Sequence, residues 1–78
     1  KGFEYIGSQN GYDIYENQKG ERVFIAQGQA VPCGYKKVIE NGEPYITIHI
    51  PGNDKLTHEA IIDSIQEATP ILKKIFKK

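Results

Sequence analysis

Cys33, His49 and His58 are the residues whose types could supply a nucleophile and its base. Cys33 stands between Pro32 and Gly34, in a stretch whose composition is typical of an exposed loop. A catalytic cysteine needs a base within reach, and no local signature places either histidine beside it. We therefore predict no catalytic residues and no enzyme, and keep a small thiol-dependent enzyme around Cys33 as a third hypothesis.

The histidines also lack the spacing of a metal site. Such a site needs three or four converging ligands, for example two histidines four residues apart on a helix. The carboxylates are scattered, and Glu59, Asp63 and Glu67 step by four, which is typical of a solvated helix face. The glycines fall at inferred turns instead of forming a phosphate-binding loop. We predict no metal, no cofactor and surface positions for both histidines.

The basic end of the chain is the clearest charge feature. Its last eight residues carry four lysines and no acid, whereas the first 70 residues carry six basic and ten acidic residues. Three interpretations stay open: lysines that complement a helix C-terminus, a contact with an acidic partner, or an interfacial membrane helix. No stretch has the ~18 to 20 apolar residues of a membrane span, so we predict no transmembrane segment.

Two Asn-Gly pairs, Asn10-Gly11 and Asn41-Gly42, predict tight hairpins. With the loop around Gly20 they delimit five short strands, which we predict to be antiparallel. Alternation in the last strand places three isoleucines on one face and Tyr45, Thr47 and His49 on the outward face. The predicted strands cover about residues 3–7, 12–16, 22–27, 35–40 and 45–50.

The C-terminal segment has helical periodicity. Thr57 is a suitable N-cap, and Pro70 predicts a break or kink, because proline inside a helix removes a hydrogen bond. We favour helices over 57–68 and 70–77, with Thr69 as the second cap. The predicted core consists of Ile14, Val23, Ile25, Ile46, Ile48, Ile50, Ile61, Ile65, Ala68, Leu72 and Ile75.

Together these patterns predict one α+β domain over residues 1–78: a small antiparallel sheet of four to five strands with the C-terminal helix on one face. The start at Lys1, without Met, suggests a processed form or a domain of a longer protein. The leading functional hypothesis is a non-catalytic protein-interaction or accessory module that binds another protein or forms a homo-oligomer. The alternative is a nucleic-acid-binding module that uses the basic helix, with Lys36 and Lys37 assisting. Binding of nucleic acid through the aromatic side chains of the sheet is disfavoured, because the sheet region is net acidic. The candidate contact residues are Cys33, Tyr45, His49, Lys73, Lys74, Lys77 and Lys78.

Overall fold

The computed structural model describes residues 2–77, except for the side chain of Lys77. Five strands are followed by two helices, so the predicted α+β class is confirmed. The elements are β1 (Glu4–Gln9), β2 (Tyr12–Glu16), β3 (Arg22–Gly28), β4 (Gly34–Glu40), β5 (Glu43–Pro51), α1 (His58–Glu67) and α2 (Thr69–Lys77).

The sheet is mixed, so the prediction of a fully antiparallel sheet was wrong for one pair of strands. The strand order is β1-β2-β3-β5-β4. After β3 the chain crosses to the edge, runs back as β4, and returns through the second hairpin as β5, which lies parallel to β3. The Asn-Gly turns determine each hairpin, but which strand of the second hairpin joins β3 depends on packing between distant residues.

Both Asn-Gly turns form as predicted. Asn10 and Gly11 have φ of 55° and 85°, and Asn41 and Gly42 have 56° and 80°. Positive φ at both central residues is the mark of the type I′ turn, whose twist matches that of the flanking strands. The first turn sets the pairing of β1 with β2 as far as Gly7, beyond which the register shifts, and the second turn sets the pairing of β4 with β5 over its whole length.

Side-chain hydrogen bonds fasten the helical segment to the sheet. The Leu56 amide donates to Oε1 of Gln27 at 2.8 Å, and Nε2 of Gln27 donates to the Leu56 carbonyl. The Ala60 amide then donates to Oγ1 of Thr57 at 3.1 Å, which is the predicted N-cap.

The helix is interrupted at Ala68, so the predicted break before Pro70 is confirmed. The prediction of Thr69 as the second cap was wrong, because Thr69 is the first residue of α2 and its Oγ1 donates back to the Ile65 carbonyl of α1. The Leu72 amide donates to the Ala68 carbonyl, so Ala68 occupies the cap position.

One face of the sheet carries the core. Its buried cluster comprises Phe3, Tyr15, Val23, Ile25, Ile46, Ile61, Ile65 and Leu72. Four predicted members, Ile48, Ile50, Ala68 and Ile75, are only partly buried against this cluster. Ile14 is buried, as predicted, with 8% of its surface exposed, but it lies on the opposite face of the sheet, where it pairs with Phe24. Its neighbour Tyr15 enters the core cluster instead.

Candidate functional site

The face of the sheet opposite the helices carries an ordered set of aromatic side chains. In the register of β3, β5 and β4, Thr47 lies between Phe24 and Lys36, and His49 lies between Ala26 and Gly34. We call this surface the open sheet face. It includes Tyr12, Ile14, Arg22, Phe24, Ala26, Lys36, Val38, Tyr45, Thr47 and His49.

Tyr12 and His49 meet above Ala26, across two strand spacings. The Tyr12 hydroxyl and Nε2 of His49 share a hydrogen bond of 2.8 Å, and their ring centroids lie 5.7 Å apart. Ala26 is only 8% exposed. A small residue on β3 thus leaves room for the two rings to meet, and their hydrogen bond holds both in one conformation.

Phe24 and Tyr45 form the second aromatic pair of the open sheet face. Their ring centroids are 4.4 Å apart with planes inclined by 33°, and Tyr12 meets the edge of Phe24 at 6.3 Å. Aromatic pairs at these separations attract each other beyond their burial of surface. The four rings, Tyr12, Phe24, Tyr45 and His49, form one aromatic cluster, and each remains only partly buried.

A shallow concavity of ≈ 620 Å³ lies over this cluster. Polar side chains border it at both hairpin turns, namely Gln9, Asn10, Glu40 and Asn41. Arg22 Nε donates to Oε2 of the neighbouring Glu16 at 3.2 Å. The open sheet face therefore has an aromatic centre, a polar rim and charges of both signs.

A second aromatic group lies on the helix side of the sheet. Tyr15 is fully buried, and its hydroxyl is 2.9 Å from Nδ1 of His58 in the first turn of α1. The His58 ring stacks on Tyr5 with centroids 3.8 Å apart. Burial, with smaller contributions from Asp13 and Tyr5, raises the pKa of Tyr15 to about 12. This group joins α1 to β1 and β2, and we assign it a structural role.

The predicted contact residues fall on separate surfaces. Tyr45 and His49 lie in the aromatic cluster, and Cys33 is exposed just before Gly34, the residue that pairs with His49. Lys73 and Lys74 are exposed on α2, on the helix side of the sheet. The remaining two, the side chain of Lys77 and the whole of Lys78, lie outside the described residues.

Both histidines have partners that the sequence did not reveal. His49 is on the outward face of its strand, as predicted, but it is half-buried against Tyr12. His58 is exposed, as predicted, yet bonds to Tyr15. Tyr12 and Phe24 also belong to the site, although neither was among the predicted contact residues. For Phe24 a signal existed: β3 is apolar on both faces, and only one of these faces can be covered by a single helical layer.

Neither a metal site nor a membrane span is found in the part of the chain that the structure describes. Within residues 2–77, no group of three or more His, Cys, Asp or Glu side chains is arranged to hold a metal ion. Neither helix, over the same residues, is long and apolar enough to cross a membrane.

Comparison with protein families gives a match over nearly the whole chain. The model of the GNAT-like C-terminal domain matches residues 4–78. The chain belongs to this family. The match makes the domain part of an acetyltransferase-type fold, and the mixed sheet with two C-terminal helices is consistent with it. Comparisons with curated proteins and with solved structures give no match.

Proposed function

We propose that this GNAT-like C-terminal domain is a non-catalytic accessory module that binds the catalytic part of an acetyltransferase-type protein through its open sheet face. The observation that carries this proposal is the aromatic cluster of Tyr12, Phe24, Tyr45 and His49, which two hairpins display on a face without a helical cover. The family description supports the choice of partner, because it places such domains at the C-terminus of larger proteins.

The composition of the open sheet face supports a protein partner. Centres of protein interfaces are enriched in aromatic residues and arginine and are surrounded by a polar rim. Here Phe24 and Tyr45 occupy the centre, and Gln9, Asn10 and Asn41 stand at the rim. The charges are mixed, with Arg22 already bonded to Glu16, whereas a polyanion would require a concentrated positive surface.

The cluster is also held in place before any partner arrives. Tyr12 and His49 fix each other by a hydrogen bond, and Phe24 is in contact with both Tyr12 and Tyr45. Ordering a flexible side chain at an interface costs about 0.5–1.5 kcal/mol, and a pre-ordered cluster avoids much of that loss. These rings are therefore suited to be the anchors of a complex.

The arrangement of the titratable side chains supports an accessory role. Nε2 of His49 is engaged by Tyr12, and Nδ1 of His58 is engaged by Tyr15. Tyr15 is fully buried, which raises its pKa to about 12 and leaves its phenol out of reach of a substrate.

Site-specific photocrosslinking in the native host tests this proposal. A benzophenone amino acid replaces Tyr45 in one variant, and the exposed Lys74 on α2 in the matched control. We expect position 45 to crosslink to an acetyltransferase-type sequence, in the same polypeptide or in an associated one, and position 74 to give little or none of that product. Equal crosslinking from both positions, or no crosslink from position 45 to such a sequence, would contradict the proposal.

A further inference from the structure

The two edges of the sheet differ in how well they could accept another strand. At β1 the pairing shifts between Tyr5 and Gly7, and such a bulge makes an edge a poor template. At β4 the register with β5 runs without a shift from Gly34 to Glu40. The outer edge of β4 thus presents a regular row of backbone donors and acceptors.

Strand β4 is also exposed on both faces of the sheet. On the helix side, Tyr35 is 66% exposed and Ile39 is 64% exposed. On the open sheet face, Lys36 and Glu40 are exposed, with the half-buried Val38 between them. Large exposed apolar side chains on a regular edge strand indicate a surface that another strand covers.

Within a single chain, the charged side chains of β4 lack partners of opposite sign on β5. Glu40 pairs directly with Glu43 across the second hairpin, and like charges in that position are destabilising. Lys36, four residues earlier on the same face, pairs with the uncharged Thr47. A cation opposite Glu40 on its free side would offset the repulsion.

We propose that β4 pairs with β4 of a second copy of this chain, antiparallel, about a twofold axis at Val38. That register places Lys36 of each copy opposite Glu40 of the other, with the two Val38 side chains facing each other between these ion pairs. The two five-stranded sheets then form one continuous sheet. The interface is isologous, which is the commonest symmetry of soluble oligomers.

Neighbouring registers are less favourable. In one continuous sheet, residues that lie directly opposite each other point to the same face. The two members of each pair in β4 are therefore separated by an even number of positions, and the twofold axis passes through a residue and not between two residues. An axis at Lys36 or at Lys37 would oppose two identical ammonium groups. An axis at Ile39 would place Glu40 opposite Val38 and form no ion pair. The register at Val38 is the one in which the charges complement each other.

The helix side of the same register is apolar. Ile39 of each copy lies opposite Lys37 of the other, whose aliphatic stem can pack against it. Tyr35 pairs with Ile48, which lines an apolar groove of ≈ 220 Å³ between β5 and the helices. A second copy would cover the exposed apolar side chains on the helix side of β4 and would extend the hydrophobic core across the sheet edge.

A charge-exchange experiment tests the register. Lys36→Glu places two carboxylates opposite each other at both ion pairs, and Glu40→Lys does the same with ammonium groups. We expect the wild-type chain to dimerise reversibly in sedimentation equilibrium between ~10 µM and ~1 mM, the range of a small interface. Each variant alone should raise the dissociation constant about tenfold or more, because two attractive pairs become repulsive.

Mixing the two variants is the decisive step. In a mixed dimer, the carboxylates at positions 36 and 40 of the Lys36→Glu chain face the ammonium groups at positions 40 and 36 of the Glu40→Lys chain. Both cross-strand pairs are then attractive again, so we expect an equimolar mixture to recover wild-type dimerisation.

Two further variants complete the design. Lys74→Glu, on α2, is the control and should dimerise like the wild type. Val38→Lys, which opposes two ammonium groups on the axis, should be monomeric while its circular dichroism stays native. A wild-type chain that remains monomeric up to ~1 mM, the upper end of that range, would overturn the proposal. So would a mixture that associates no better than its components.

Discussion

At the scale of single residues, a buried phenol connects the sheet to the first helix. Tyr15 has no exposed surface, and its hydroxyl meets Nδ1 of His58 at 2.9 Å. A buried hydroxyl without a partner would cost about 1–3 kcal/mol, so the position of His58 at the start of α1 matters for stability. The sequence showed a tyrosine on a strand and a histidine after a cap, but their contact spans 43 residues and depends on tertiary packing.

Tyr15 makes the domain sensitive to alkaline pH. Its pKa is raised to about 12 in the folded chain, against 10.0 without the fold. Below pH 10 both states hold the proton and the stabilisation is complete. As pH rises from 10 to 12, the unfolded chain loses the proton first, so the free energy of unfolding should fall by up to about 2–3 kcal/mol.

Urea titrations at several pH values between 9 and 12 measure this loss. Tyr15→Phe should cost about 1 kcal/mol at pH 7 through the lost hydrogen bond and should flatten the alkaline decline. Tyr35→Phe, at a position that is 66% exposed, is the control and should leave the decline unchanged. An unchanged decline in Tyr15→Phe would show that another group is responsible.

The bond between Tyr12 and His49 supports a second prediction at this scale. Removing the hydroxyl by Tyr12→Phe should lower the free energy of unfolding by about 1 kcal/mol, since His49 Nε2 loses its partner while the ring remains. Chemical denaturation of the variant measures the change. Tyr45→Phe is the matched control. An equally large loss of unfolding free energy in that variant would show that the effect of Tyr12→Phe does not come from the bond to His49.

At the scale of elements, local signals account for most of what the sequence could predict. The Asn-Gly turns, the Thr57 cap and the position of Pro70 each depend on a few neighbouring residues, so the sequence alone is enough to predict them. Which face of each strand enters the core was harder to predict. In β2 both Ile14 and Tyr15 are apolar and adjacent, so alternation alone does not say which one enters the core.

The cap of α1 gives a quantitative prediction. Oγ1 of Thr57 accepts the Ala60 amide at 3.1 Å, so Thr57→Ala should destabilise the domain by about 1 kcal/mol. Thr57→Ser keeps the acceptor and should recover most of that loss. Thermal denaturation by circular dichroism measures both variants, and equal melting temperatures for the two would mean that the cap does not contribute.

At the scale of the whole molecule, the mixed sheet separates two surfaces with different chemistry. The open sheet face carries the aromatic cluster, whereas the exposed Lys73 and Lys74 lie on the helix side. The sequence predicted Tyr45 and His49 on one face, but Tyr12 and Phe24 join them only because β5 inserts beside β3. That parallel pairing joins distant segments, and no local pattern in the chain specifies it.

Under our proposal, the catalytic part of an acetyltransferase-type protein covers the open sheet face. Hydroxyl-radical footprinting of the isolated domain and of the assembly purified from its host tests it most directly. We predict that labelling of Tyr45 and His49 falls severalfold in the assembly, while Tyr5, on the helix side of the sheet, is labelled equally in both. Equal labelling of Tyr45 and His49 in the two samples would contradict the account.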